Sequence, residues 1–561
     1  MEDGLQQALR SRVRRIIGLV AVVGLGACGG DAGTPDTVAT PTGDHPTFSG
    51  GPPGGVLVAL LDGEPGDLNP LTYSSNPAYQ AIRLMFRALA RRDSTLSNYQ
   101  PDLATSWEVR DDSIVVLRLR DDVSWHDGAR VTAEDVAFTI RRQMDPLVTS
   151  PRQADVAAVQ GVEIVDSVTL EVRMNRIGEY AVNALLEVVP VPMHLLSDVD
   201  AADMRMAPFG RNPVGNGFFR FGRWERGQQL ILEVNPEMPE GRAALDRVVM
   251  RVVPDINAAL TELLAGQGDL LKVPPEHEAR IESVATTQLY AAPRVRPAWI
   301  AWNVASPPLD DRNVRRAVLM AIDREALAAG LFGDVGEAAV SPIPPALAEH
   351  SPDVQPIPHD PVAARELLEQ AGWTDADGDG IRERAGTPLR IEVDYISADP
   401  TREDVLVAIQ SMVRGAGIEL VPRAYERTAW VERLRARDFQ GSSWGWGWGP
   451  GVVGPNAEMV FHSRSIPPAG ANFAGYSNPR VDQLIDEALV TRESAELEEI
   501  WREFEQIVID DAVYAPLYLD PELFGVHSRF ENVRFRGIEW WEDVPYWYIP
   551  LEARLPRDRS G

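Results

Sequence analysis

The chain has one cysteine in 561 residues, Cys28, so no intrachain disulfide can form and stability rests on the core alone. It has one lysine, Lys272, and its other cations are arginines. Acidic residues number 83 against 54 basic ones, for a net charge of −29. So acidic a chain repels nucleic acid, whose binding rests on Lys and Arg contacts to phosphate. The charge reads most simply as a source of solubility. Eight histidines are too few and too scattered for a metal cluster, and none stands at a ligand spacing such as HxxxH. No Walker A sequence is present, so ATP hydrolysis would belong to a partner. No G-x-S-x-G elbow is present either, and Ser442-Ser443 has no base at a fixed spacing, which leaves a secreted hydrolase without an activated nucleophile. Nothing in these motifs calls for a cofactor. No apolar run reaches the roughly 20 residues that span a bilayer.

The N-terminus carries an address. Arg10, Arg12, Arg14 and Arg15 precede a short apolar stretch, Ile16 to Ala27, and small residues follow. That pattern describes a secretory signal over residues 1–27. Leu25-Gly26-Ala27-Cys28 resembles the bacterial lipobox, which implies cleavage before Cys28 and lipidation of its sulfur. Residues 29–54 are mostly Gly, Pro, Thr and Asp, the composition of a flexible tether. Order is expected from Val56. The roughly 500 residues that follow exceed one core, so two or three domains are expected.

Strand and helix patterns then mix. Apolar or alternating runs predict strands over 114–119, 168–173, 217–224, 229–234, 247–253, 299–304, 390–395 and 418–421. Helical periodicity predicts helices over 77–91, 132–143, 255–266, 311–330, 360–371, 400–416, 427–437, 478–490 and 493–510. Asn478-Pro479 and Asp399-Pro400 read as helix starts. The mixture is α/β.

Several segments together resemble one family. They are Glu64-Pro65-Gly66-Asp67-Leu68-Asn69-Pro70, the Trp125-His126-Asp127-Gly128 turn with the Thr132 cap after it, and Pro213-Val214-Gly215-Asn216-Gly217-Phe218-Phe219. Leu264-Ala265-Gly266-Gln267-Gly268-Asp269, Ala321-Ile322-Asp323-Arg324 and Asn472 through Pro479 follow in order. Each is weak alone, but their joint order resembles the extracytoplasmic solute-binding proteins of ABC importers, family 5, which includes oligopeptide-, dipeptide- and nickel-binding proteins. The resemblance covers about residues 56 to 550. It implies a periplasmic-binding-protein-like two-lobed α/β fold (type II, cluster C) with an extra inserted domain. Lobe one would be discontinuous over 56–82, 206–302 and 520–555, the inserted domain 83–205, and lobe two 303–519.

The sharpest local feature is Trp444-Gly445-Trp446-Gly447-Trp448. In a strand, alternate side chains face one side, so the three indoles would form one aromatic surface. It reads either as a core strand or as a stacking wall of a ligand cleft. In the resembled family a Gly-Trp pair here lines the pocket, which implies Gly445-Trp446 or Gly447-Trp448; Trp446→Ala and Trp448→Ala are then expected to weaken binding without unfolding. Glu64 and Asn303 are further ligand-binding candidates from the resemblance. Peptide binders of the family carry an aspartate just after the tryptophan for the α-amino group. This chain has no acidic residue between Ser442 and Ala457, so a free-amine peptide is not expected unless Glu64 or Glu458 substitutes.

Asp375, Asp377 and Asp379 match the opening of an EF-hand loop, but position 12 is Gly386 and a strand follows, so a polar turn competes with a calcium site. The aromatic run Trp540 to Tyr548 is expected to pack lobe one, with a cleft surface as the alternative. The reading that follows is a monomeric, lipid-anchored, non-enzymatic protein outside the cytoplasm. It would capture a peptide-like or other amphipathic solute and deliver it to an ABC permease and ATPase. An extracytoplasmic sensor or chaperone-like binding protein on the same scaffold is the alternative.

Overall fold

A computed structural model describes residues 51–559 apart from 94, 95, 97, 450–452 and 536–538. The signal segment, Cys28 and the tether up to residue 50 lie outside the described residues. Among the described residues no helix is long and apolar enough to cross a membrane.

Three sheets organise the chain. The largest has seven strands in the order Thr287–Ala291, Leu523–His527, Leu270–Val273, Val56–Leu61, Arg247–Val252, Gln229–Val234 and Phe219–Glu225. Val56–Leu61 lies inside it, parallel to both neighbours, and every one of its residues is buried. That is why its sequence is a continuous apolar run rather than an alternating one. The second sheet has five strands, Glu419–Tyr425, Arg390–Ile396, Gly441–Gly445, Pro297–Trp302 and Tyr514–Leu519. A four-stranded antiparallel sheet, Ala104–Arg110, Ile114–Leu119, Thr169–Met174 and Val159–Ile164, is inserted between the first two strands of the large sheet in chain order. The chain passes between the two large sheets twice, through 292–296 and 520–522. Pro297–Trp302, which the sequence reading assigned to lobe one, pairs in the five-stranded sheet.

Local chemistry sets the helix ends. The Asp399 and Asn478 side chains accept from the Arg402 and Arg480 N–H groups, and a proline opens each helix. At Thr132 the Asp135 carboxylate takes the Thr132 N–H at 2.9 Å and the buried Trp125 indole N–H at 3.3 Å, joining the Trp125–Gly128 turn to its helix. Two helices differ from the periodicity. The 311–330 pattern breaks into Arg312–Ala321 and Arg324–Phe332, because Asp323 is extended and caps the second through Ala326 N–H. The 77–91 pattern ends at Met85. There the Asn216 and Gly217 N–H groups donate to the Met85 carbonyl, and the Asn216 side chain accepts from Arg87 N–H at 2.9 Å. A Cβ at Gly215 would stand 2.1 Å from that carbonyl oxygen, so only glycine admits the approach.

Order begins before Val56. Gly54 N–H donates to the Ala244 carbonyl, and Arg554 donates to the Pro52 and Pro53 carbonyls. Beside it lies a dry charge network. Arg529 grips both oxygens of Asp269 at 3.0 and 2.9 Å, pairs with Asp558 and donates to the Val56 carbonyl. Asp558 accepts from Val56 N–H and Asp269 from Val58 N–H, each at 2.9 Å. The network therefore ties the central strand to the C-terminal segment.

Candidate functional site

The tryptophan run is only partly a strand. The strand ends at Gly445, but the pairing continues irregularly: Trp446 N–H donates to the Pro297 carbonyl and Trp448 N–H to that of Val295. The three indoles therefore do share a face, and it is the face toward the apolar cluster around Phe461 and Trp501. Trp448 is wholly buried and stacks on Phe461 with centroids 6.3 Å apart. Trp444 and Trp446 are half-buried at the edge of that cluster, Trp444 edge-on to Trp430 and Phe473. Gly447 is exposed, and a Cβ there would touch nothing closer than 3.9 Å.

The run does have a carboxylate neighbour, supplied from afar. A Cβ on Gly445 would sit 3.3 Å from an Arg402 nitrogen and 3.7 Å from Asp520 Oδ2. Asp520 belongs to the 520–522 link, where burial raises its carboxyl against the pull of Arg402 and Arg296. Nothing in the 442–457 sequence could have announced it.

A cavity of about 430 Å³ has Gly449, just past the run, in its lining. Its other walls include Tyr73, the helix Asn76–Met85 and the chain just after it, Arg152 and Glu187, the 217–218 and 240 positions, and 539–546. Tyr79 stacks on Tyr73 at 5.4 Å and meets Trp541 edge-on at 5.6 Å, which brings the helix against the C-terminal segment. The aromatic run 540–548 thus serves both expectations. Trp547 is fully buried in the core, while Trp541 and Tyr546 also line the cavity.

Charges crowd this cavity. Arg87 pairs with Asp102 and with Glu240, the latter at 2.8 Å. Arg92 and Arg152 both pair with Glu187. Burial works against the Glu187 carboxylate, yet Arg92, Arg152 and Arg83 outweigh it and hold its pKa down at about 2. In the 539–546 segment the balance reverses. Burial, with Glu522 nearby, pushes the Glu539 carboxyl up to about 8. Glu542 is surrounded by protein and raised by that burial, while its side chain stays open to the cavity. Arg83, Glu539 and Glu542 are absent from the sequence-based candidates, since one sits in an ordinary amphipathic helix and two in an apparent core segment.

The other candidates lie elsewhere. Glu64 is exposed and accepts from Gly227 N–H at 3.2 Å. Asn303 is buried, and its amide donates to the Arg437 and Phe439 carbonyls at 2.9 and 3.0 Å, holding that loop. Neither lines the cavity. Asp375, Asp377 and Asp379 gather with Glu383, their ligand atoms within 4.8 Å of one another on an exposed loop. Both oxygens of Asp375 already accept from Gly378 and Gly380 N–H groups. Two serines lie near histidines, but in each case a carboxylate meets the serine oxygen. Ser341 and His350 both contact Glu505, and Ser463 and His462 both contact Asp482. A hydrolytic triad needs the imidazole on the serine instead.

The family model for bacterial extracellular solute-binding proteins, family 5 (middle region), matches residues 98–467. The chain is 27% identical over 504 residues to the oligopeptide-binding protein AppA of Bacillus subtilis, covering 88% of this chain and 92% of that one. It is 25% identical over 470 residues to heme-binding protein A of Haemophilus influenzae, covering 79% and 84%. The structure of Bacillus subtilis AppA in complex with a nonapeptide superposes with a TM-score of 0.71 at 26% identity, covering 89% of this chain and all of that one. NikZ from Campylobacter jejuni in complex with Ni(L-His) superposes at 0.72 with 23% identity, over 90% of this chain and all of that one, a likeness of fold alone.

Proposed function

Because the chain belongs to the bacterial extracellular solute-binding proteins of family 5, we propose that it is the solute-capturing subunit of an ABC importer, held at the membrane by a lipid on Cys28. It has the family's α/β, periplasmic-binding-protein-like two-lobed fold (type II, cluster C). In this reading the seven-stranded sheet builds lobe one, the five-stranded sheet lobe two and the four-stranded sheet the inserted domain. The solute, peptide-like or otherwise amphipathic, sits between the lobes. Its work is binding and closure, with delivery to a permease whose ATPase supplies the energy.

The observation that carries this reading is the cavity of about 430 Å³ walled by Tyr73, Tyr79 and Trp541, with the end of the tryptophan run at Gly449 in its lining. Its volume falls within the range of roughly 300–1,000 Å³ usual for small-molecule sites. Gly449 comes from the five-stranded body and the other walls from the rest of the chain, so a bound solute would touch both. A ligand drives closure only through its preference for the closed state.

Native mass spectrometry of the purified mature protein tests the reading. A co-purified small solute is the expected result; a protein that carries none and takes up none from a peptide mixture overturns it. The anchor has its own test: labelled palmitate should enter the wild-type chain and not Cys28→Ser.

A further inference from the structure

One short helix belongs to two cores. Glu179–Leu186 lies in the inserted region, and its Val182, Leu185 and Leu186 join the apolar cluster of the four-stranded and seven-stranded sheets. At about 3.6 residues per turn, Tyr180 falls on the face opposite those three. It joins the cluster of the five-stranded body around Phe461 and Trp501, and among the described residues it is the one buried member of that cluster drawn from 83–205.

The five-stranded body is shaped to receive this ring. A Cβ on Gly454 would stand 2.7 Å from it, so Tyr180 fills a slot that glycine leaves open. Trp501 meets the ring edge-on with centroids 6.2 Å apart and donates its indole N–H to the Tyr180 hydroxyl at 2.7 Å. The hydroxyl in turn donates to Glu349 at 3.2 Å. Backbone closes up beside the ring. A Cβ on Gly178 would stand 2.4 Å from the Leu489 carbonyl oxygen, and Glu179 N–H donates to the Thr491 carbonyl at 2.9 Å. At the rim, exposed Asp112 and Arg492 pair at 2.9 Å, a contact of a kind that adds little. The seat is deep but narrow, and contacts between parts of one chain stay reversible unless they are large and apolar. It also adjoins the cavity from both sides. The helix runs directly into Glu187, which lines the cavity, and the lining residue Gly449 shortly precedes the helix Val453–Phe461 that carries Gly454.

We propose that Tyr180 is a catch: seated in the Gly454 slot, it holds the inserted region against the five-stranded body and so keeps the cavity walls at Glu187 and Gly449 together. Withdrawn, it lets those walls part. The inference rests on the closing, solute-binding reading and adds to it the side chain that sets the balance between docked and separated forms. Withdrawal exposes the ring and takes the acceptor from the Trp501 N–H, so burial of an aromatic side chain and the hydrogen bond it carries both favour the docked form. A solute that touches both walls shifts the same balance in the docked direction.

Distances between two nitroxide spin labels test this on the full mature chain carrying Cys28→Ser, in which labels attach to introduced cysteines alone. Glu108→Cys and Ala495→Cys put one label on each side of the contact, both at exposed positions. With Tyr180 in place a short distance should dominate. Tyr180→Ala should raise the ratio of long to short distances at least tenfold, and Tyr180→Phe, which keeps the ring and loses the hydroxyl, should raise it by less. Gly454→Ala should act like Tyr180→Ala, because its methyl fills the slot while Tyr180 is intact. Alanine is the better helix former, so a Gly454 that served its own helix alone would give no shift. Arg492→Ala removes the surface pair and should leave the ratio within about twofold. Melting curves establish that each variant is folded, and if Tyr180→Ala does not fold, Gly454→Ala and Tyr180→Phe decide by the same ratio. Wild-type distances in Tyr180→Ala or in Gly454→Ala, or a long distance that dominates with Tyr180 in place, overturns the catch. None of these outcomes touches the solute-binding reading, since the measurement uses no solute; that reading falls on the native mass spectrometry instead.

Discussion

Two regions of this protein gather arginines and carboxylates, and they treat them in opposite ways. Around Arg529 every partner is present: Asp269, Asp558 and the Val56 carbonyl take its donors, and backbone N–H groups fill the remaining carboxylate oxygens. Around Arg83 the balance is looser: Tyr79, Glu187 and Glu542 act on it through their charge, with no hydrogen bond to it among the described residues, and it lines a cavity. A complete buried network holds backbone segments together, because removing one member strands the others away from water. A looser one beside a cavity can rearrange at smaller cost, because its members interact through charge without hydrogen bonds that fix them. Charge density alone does not separate structure from function here; satisfaction of the partners does.

The contrast can be broken most forcefully at Asp269. Asp269→Ala should destabilise the protein by about 3–5 kcal/mol, since Arg529 and Arg557 lose a buried partner. Arg83→Gln should cost clearly less, since Arg83 acts on Glu187 and Glu542 through charge and no hydrogen bond is lost. Urea unfolding of both variants measures the gap, and similar losses in the two would dissolve the distinction.

The tryptophans offer the same contrast within one segment. Trp448→Ala should cost about 3–5 kcal/mol, as a fully buried indole stacked on Phe461. Trp446→Ala should cost clearly less and weaken ligand binding. This corrects the expectation that both substitutions spare the fold, because only Trp444 and Trp446 keep an exposed edge. Equal stability losses at 446 and 448 would return Trp446 to the core.

A smaller effect should appear with pH. The Glu539 carboxyl is raised from 4.5 to about 8 by burial. Below about pH 4.5 it is protonated in both folded and unfolded chains. Between there and about pH 8 the unfolded chain releases the proton while the folded one keeps it. Its contribution to stability is therefore whole at low pH and lost as pH rises through that window. Melting temperatures across the window should fall less steeply in Glu539→Gln, and identical profiles would return Glu539 to an ordinary carboxylate. The smallest effect concerns the Asp375–Glu383 loop: millimolar calcium should leave the melting temperature unchanged if the loop is a polar turn, and a shift abolished by Asp377→Asn would make it a metal site.

Much of the fold was legible because it is local. Ile114–Leu119 and Gln229–Val234 stand where their patterns placed them, and the caps at Thr132, Asp399 and Asn478 start helices as read. The misreadings were also local in appearance but not in cause. The helix after Asn76 stops because Asn216 and Gly217, far along the chain, occupy the Met85 carbonyl. The site was less legible still. The cavity joins residue 83 to residue 542, and neither neighbourhood carries a pattern that names the other. The missing aspartate after the tryptophans is a fact of that segment alone, since other segments bring carboxylates up: Asp520 Oδ2 lies 3.7 Å from where a Gly445 Cβ would stand.

The Arg529 network has a mechanical consequence. Tension arriving from the N-terminal side enters the fold at residues 51–56, where Arg554 and Arg529 hold the chain. The strand it would pull, Val56–Leu61, is hydrogen-bonded on both edges to parallel neighbours. A load along that strand shears its hydrogen bonds together instead of unzipping them one at a time. A load entering at residue 51 is thus borne first by this strand and the Arg529 network, and pulling from residue 51 in an optical trap should meet a markedly lower rupture force in Arg529→Met.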